Sequence, residues 1–247
     1  MAHFYLAPAG SRLIAGETIV LTGDEARHAA KAARLRVGER ILVGDGRGAI
    51  AQAEASQVDA SEVHLVVVSV SHTEADAPGV WLIQSLAKSG RDEQAIEAAT
   101  EVGVSGVIPL LAERCVSRWK GDKASSGAAR WQRIVTEASK QAIQAHTPQV
   151  SPLMSTGELA KDASSWQLIV LDHRAQMRLA DVDLDSSVNA LPVAVVVGPE
   201  GGFSEAERDA FEAAGATVAK MGPGVLRTSS AGPIAIALIH QRLGHWR

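Results

Sequence analysis

One cysteine, Cys115, stands in 247 residues. No intramolecular disulfide can form, which fits a reducing, cytoplasmic setting. No apolar run approaches the roughly 20 residues that a membrane-spanning helix needs. The start, Met1-Ala2-His3-Phe4-Tyr5, has no basic segment leading into an apolar core, so no secretory leader is expected. The eight histidines supply no pair at metal-binding helical spacing and have no cysteines to support them. No metal is expected. Neither a G-x-S-x-G elbow nor a G-x-x-x-x-G-K-[ST] loop occurs, which removes the commonest hydrolase and nucleotide-triphosphatase readings. Gly44-Asp45-Gly46-Arg47-Gly48 lacks the glycine spacing of a dinucleotide loop and reads as a turn.

Strong net charge is also missing. The formal charge is −4, so bulk electrostatics do not advertise a polyanion partner, but the cations are clustered. Arg27, Lys31, Arg34, Arg36, Arg40 and Arg47 face only Glu39 and Asp45 in their stretch. A second patch from Arg114 to Arg133 includes Arg118 and Lys120, has Asp122 as its one acid, and interleaves Trp119 and Trp131. Cations meet phosphates and flat rings stack on unpaired bases, so such patches suit RNA. Lys88 and Arg91 form a smaller group of the same kind.

What is present is a chain with 46% hydrophobic residues, long enough for a sizeable core. Residues 1–72 read as a small β-barrel domain. Its strands are Ile19-Val20-Leu21, Arg40 to Val43, Ala49 to Ala55 and Val63 to Val68, with a brief helix from Thr22 or Asp24 through Arg34. The polar, breaker-rich stretch 73–79 reads as a linker. From 80 to 247 strands alternate with helices. Strands are expected at Val80–Ile83, Val107–Leu111, Leu168–Leu171, Ala194–Val197 and Thr217–Ala219. Helices are expected at about Asp92–Val102 and Ala128–Ala145, and from Ser204 and about Ala231. That alternation predicts an α/β domain with a mainly parallel sheet.

The most informative stretch runs from Val193 to Leu238. Val193-Ala194-Val195-Val196-Val197 is a strand buried on both faces, and Gly198-Pro199-Glu200-Gly201-Gly202 follows it. Ser204-Glu205-Ala206-Glu207 has capping-box spacing, so the glycines form a strand-to-helix loop of the kind that binds ligands in parallel sheets. A second turn, Met221-Gly222-Pro223-Gly224, leads into Leu226-Arg227-Thr228-Ser229-Ser230, whose hydroxyls offer a cap for the last helix. Glu200 with no lysine or arginine near it in sequence argues against phosphate, and for a ligand neutral or cationic at that loop.

Val197-Gly198-Pro199-Glu200-Gly201-Gly202-Phe203-Ser204, paired with Val225-Leu226-Arg227-Thr228, resembles the signature of the RsmE family, which methylates N3 of a uridine in small-subunit ribosomal RNA. His28-Ala29, Arg34 to Gly38 and Asp45 to Gly48 resemble the family's PUA-like RNA-binding domain, and Thr100 to Val104 and Glu113 to Cys115 match two intermediate segments. The resemblance implies a SPOUT-type α/β domain with a C-terminal trefoil knot, S-adenosylmethionine as cofactor, a homodimer, and 16S ribosomal RNA or the small subunit as partner. It assigns cofactor contacts to Leu171, Gly198, Glu200, Gly201, Met221, Gly222, Leu226, Arg227 and Thr228. Arg227, a cation that keeps its proton, is the candidate for stabilising a uracil ring that loses its imide proton. The candidates for RNA contact are Arg27, Lys31, Arg34, Arg36, Lys88, Arg91, Arg114 and Arg118.

The chain departs from the family pattern at Ser229, where a glutamate is usual, at Ala98, where a lysine is common, and over Ile143 to His146. Those departures motivate one alternative, an RNA-binding assembly protein with a decayed site. A ribose 2′-O methyltransferase of the same superfamily is another.

Overall fold

The computed structural model describes residues 4–246; residues 1–3, part of the start expected to carry no leader, and Arg247 lie outside the described residues. The chain divides into two compact units, 1–75 with 139–147, and 76–138 with 148–247.

The first unit holds β1 (Phe4–Leu6), β2 (Thr18–Thr22), α1 (Gly23–Arg27), β3 (Arg40–Gly44), β4 (Ala49–Val58) and β5 (Glu62–His72). They form one sheet in the order β1-β3-β4-β5-β2. Alternation explains its core: Ala51, Ala53 and Ala55 of β4 and Val63, Leu65 and Val67 of β5 are buried, while Gln52 and Val66, each between two of them, are exposed. Among the described residues no ladder joins the end strands β1 and β2. The small β-barrel expected for this stretch is this single five-stranded sheet. The helix expected through Arg34 ends as a π-helical turn over His28–Ala32, and Arg34 takes a φ of 54° that a continuing helix cannot use. Residues 139–147 belong with this unit through specific bonds. The buried Lys140 Nζ lies 2.6 Å from Glu25 Oε1, and Gly48 N donates to Ala145 O at 2.9 Å.

The second unit contains β6 (Val80–Ser85), α2 (Arg91–Glu101), β7 (Gly106–Leu111), α3 (Asp122–Gln141, its residues 139–141 counted above), β8 (Gln149–Val150), β9 (Met154–Ser155), α4 (Thr156–Lys161), β10 (Gln167–Leu171), β11 (Val193–Val197), α5 (Glu205–Ala213), β12 (Thr217–Ala219) and α6 (Thr228–Leu243). The sheet order is β12-β10-β11-β6-β7-β8, with β9 also on β7, and every ladder is parallel. Each residue of β11 is buried, as the unbroken β-branched run demands of a central parallel strand. α2 and α6 pack on each other and on β6, and α6 also covers β11. Gly232 makes that approach possible: a Cβ there would sit 2.7 Å from Leu82 Cδ1 of β6. α3 spans 122–141 rather than the expected 128–145, and it stops where Ile143 adopts a φ of 53°.

Because all strands run the same way, the loops after β6, β7, β10, β11 and β12 leave one edge of the sheet. This edge carries the site.

Candidate active site

The loop after β10 (171–174), the loop after β11 (198–203) and the long turn after β12 (221–228) enclose a cavity of about 470 Å³, within the range of small-molecule and cofactor sites. The sequence-predicted Leu171, Gly198, Glu200, Gly201, Met221, Leu226, Arg227 and Thr228 all line it; Gly222 does not, and Gly224 and Val225 of the same turn do. Two cations assigned to RNA, Arg91 and Arg114, also line it.

The two glycine turns are physically joined. Thr228 is buried, and its Oγ1 donates to Gly198 O at 2.7 Å. This corrects the expectation that Thr228 to Ser230 cap the last helix. The N-cap is Arg227, in extended conformation and without a side-chain cap bond, and its own carbonyl accepts from Ser230 N and Ala231 N at 3.0 Å. The Arg227 side chain is exposed at the cavity rim and makes no ion pair among the described residues.

Glu200 is not isolated from cations, as its sequence neighbours suggested. Arg91 Nη1 lies 3.2 Å from Glu200 Oε1, and Arg114 Nη1 donates to Gly201 O at 2.9 Å. Arg91 opens α2 after β6 and Arg114 lies in the loop after β7, so neither is visible in the sequence around Glu200. Each is engaged by the loop it meets, so they brace the 198–203 backbone.

A cluster in which sequence reasoning pointed to His173 and Arg174 as able to reach the pocket is centred on Asp172, which it did not single out. Its side chain is 4% exposed. Arg174 donates to Asp172 Oδ2 from Nη2 at 2.7 Å and to Oδ1 from Nε at 3.1 Å, and Arg208 Nε approaches Oδ2 to 3.3 Å. Burial alone would push the Asp172 carboxyl up, but the hydrogen bonds from Arg174 and the charges of Arg174 and Arg208 outweigh it and hold it below the ordinary carboxylate value. Arg174 Nη2 also donates to Phe203 O at 3.0 Å, so the β10 loop holds the far end of the β11 loop. The only local signal was a strand end running into Asp172-His173-Arg174.

The β11 loop ends in the predicted capping box. Ser204 Oγ accepts from Glu207 N at 3.3 Å and Glu207 Oε2 accepts from Ser204 N at 2.9 Å, while Glu207 Oε1 also accepts from Glu113 N at 2.8 Å. Ser204→Ala should cost about 1 kcal/mol of unfolding free energy in urea titration; an unchanged midpoint would show that the cap carries no load.

The remaining RNA candidates lie elsewhere. Lys88 lines a separate cleft of about 730 Å³ with Trp119, Lys123, Arg130 and Arg133, and Arg118 Nη2 donates to Glu113 O at 2.9 Å. In the first unit Arg27, Lys31, Arg34 and Arg36 are all exposed, with Arg27 paired to Asp24.

A family model described as RNA methyltransferase domain matches residues 74–240, and one described as RNA methyltransferase PUA domain matches 21–68. Ribosomal RNA small subunit methyltransferase E of Mycobacterium bovis is 34% identical over 236 residues, covering 94% of this chain and 89% of its own length. The chain belongs to the ribosomal RNA small subunit methyltransferase E family. The Bacillus subtilis methyltransferase E is 26% identical, over 97% of this chain and 96% of its own. Among solved structures, the methyltransferase E of Neisseria gonorrhoeae bound to S-adenosyl methionine is 27% identical, covers 98% of each chain and superposes with a TM-score of 0.87. The methyltransferase E family thus accounts for both the parallel α/β unit and the PUA-type sheet that precedes it.

Proposed function

We propose that this chain is an S-adenosylmethionine-dependent methyltransferase that acts on N3 of a uridine in 16S ribosomal RNA. The observation that carries the proposal is the cavity closed by the Thr228–Gly198 bond, built from the family's paired loops. Its donor set suits the cofactor. Leu171, Val197, Leu226 and Ala231 offer apolar walls for a flat base, while the backbone amides and carbonyls of the 198–203 loop offer its polar edge hydrogen-bond partners. When bound, S-adenosylmethionine would supply an electrophilic methyl group on a sulfonium.

The residues then have distinct tasks. Arg91 and Arg114 hold the loop that would cradle the cofactor, so they are positioning residues. Arg227, unpaired at the rim, would face the uracil as N3 gives its proton to solvent, and would stabilise the negative charge left on the ring. The exposed cations of the first unit, Arg27, Lys31, Arg34 and Arg36, and the cleft at Lys88 would meet RNA backbone. The finer reading adds a trefoil knot in a SPOUT-type domain, a cytoplasmic setting and a homodimer. Exposed Ile234 and Leu238, four apart on α6, support an apolar contact between two copies.

The test is mass spectrometry of 16S ribosomal RNA from a strain lacking the gene, with calorimetry of S-adenosylmethionine on the purified chain. Loss of one N3-methyluridine and binding of one cofactor per chain are expected. An unchanged methyluridine level overturns the assigned reaction, and absence of cofactor binding overturns the methyltransferase reading altogether.

A further inference from the structure

We propose that Asp76, His240 and His245 form a zinc site that fastens the end of α6 to the segment leading into β6. The three side chains converge although 164 residues separate the aspartate from the first histidine. His240 Nδ1 and His245 Nδ1 are 2.8 Å apart, and the same atom, Asp76 Oδ2, lies 3.8 Å from the first and 3.7 Å from the second. Ligands of tetrahedral zinc at nitrogen and oxygen distances sit about 3.3 Å from one another. The three edges here average about 3.4 Å, so a cation needs only a small parting of the two rings.

The setting also suits a metal. His240 is fully buried and His245 nearly so, whereas Asp76 is half open to solvent. Two imidazole nitrogens pointed at each other can be reconciled without a metal only by one donating its proton to the other, which leaves the carboxylate outside the bond. Trp246 stacks on the His240 ring with an interplanar angle of 10° and shields it further. Two nitrogens and one carboxylate oxygen select zinc and its late first-row neighbours over magnesium or calcium, which prefer all-oxygen shells. The open side of Asp76 leaves room for water as fourth ligand.

The site is structural. His240 lies twelve residues after Thr228, about 18 Å along the α6 axis from the cavity. A cation there would anchor one end of the helix whose other end carries Arg227 and Thr228.

The experiment uses the full chain without a histidine tag, freed of metal by chelator and titrated with zinc chloride or magnesium chloride. One zinc per chain is expected by calorimetry, with the melting temperature rising roughly 3–6 °C per tenfold zinc above the dissociation constant, and no response to magnesium. Asp76→Asn, at a half-exposed position, should keep the fold while zinc affinity drops by more than the 10–100-fold typical of losing an outer-shell partner. His245→Gln should abolish stoichiometric binding. Failure to bind zinc, an equal response to magnesium, or full affinity in either variant would overturn the site.

Discussion

Arg227→Ala should lower the single-turnover rate of methyl transfer to small-subunit RNA by about 10²–10³-fold, the usual cost of removing one group that stabilises developing charge. The expectation is specific because the backbone role of residue 227 survives the change. Its carbonyl, not its side chain, accepts from Ser230 and Ala231 to start α6, and the guanidinium has no ion pair to lose among the described residues. Stability should therefore stay within about 0.5 kcal/mol of the parent. Cofactor affinity, set chiefly by the 198–203 and 171–174 loops, should change little. Arg227→Lys should recover part of the rate, since a compact ammonium keeps the charge but not the planar fork. A parent-like rate for Arg227→Ala in the presence of saturating cofactor would remove this residue from the chemistry, and a rate loss that tracks cofactor affinity alone would reassign it to binding.

What was legible in the chain follows from the range of the interactions involved. The strand at 193–197 was readable because a central parallel strand imposes apolar side chains on both faces, a requirement written in five consecutive residues. The Ser204–Glu207 box was readable because both of its bonds close within one helical turn. By contrast, β8 and β9 are two-residue strands that offer no periodicity. The placement of 139–147 with the first unit depends on Lys140 meeting Glu25, 115 positions away. The contacts of Arg91 with Glu200 and of Arg114 with Gly201 were not legible, because β6 and β7, which those arginines follow, are brought beside β11 only in the folded sheet order β11-β6-β7. Asp172 escaped notice for the same reason: its meaning comes from Arg208 on α5 and, through Arg174, from the carbonyl of Phe203.

That cluster carries the second large effect. Asp172→Asn keeps the shape but removes the charge that two guanidinium groups face, and should destabilise the fold by about 2–3 kcal/mol, between a lost charged hydrogen bond and a fully buried broken pair. The lower end of the buried range applies because Arg174 and Arg208 keep 35% and 23% exposure and can be partly rehydrated. The pH dependence follows from the sign of the shift. The folded carboxyl titrates below its unfolded value, so its stabilisation is complete above the unfolded value near 4 and is lost as pH falls through the folded one. Urea unfolding of parent and Asp172→Asn should therefore differ by a constant amount from pH 7 to 5, and the gap should narrow progressively below about 4. A gap unchanged under acid would mean that shape rather than charge sets the cost. Cofactor binding should weaken alongside stability, because a slack Arg174 no longer holds Phe203 O and the 198–203 loop loses one of its fastenings, the others being the Thr228 bond to Gly198 O and the Arg91 and Arg114 contacts. Full cofactor affinity in a destabilised Asp172→Asn would show that the Thr228, Arg91 and Arg114 contacts suffice to shape the loop.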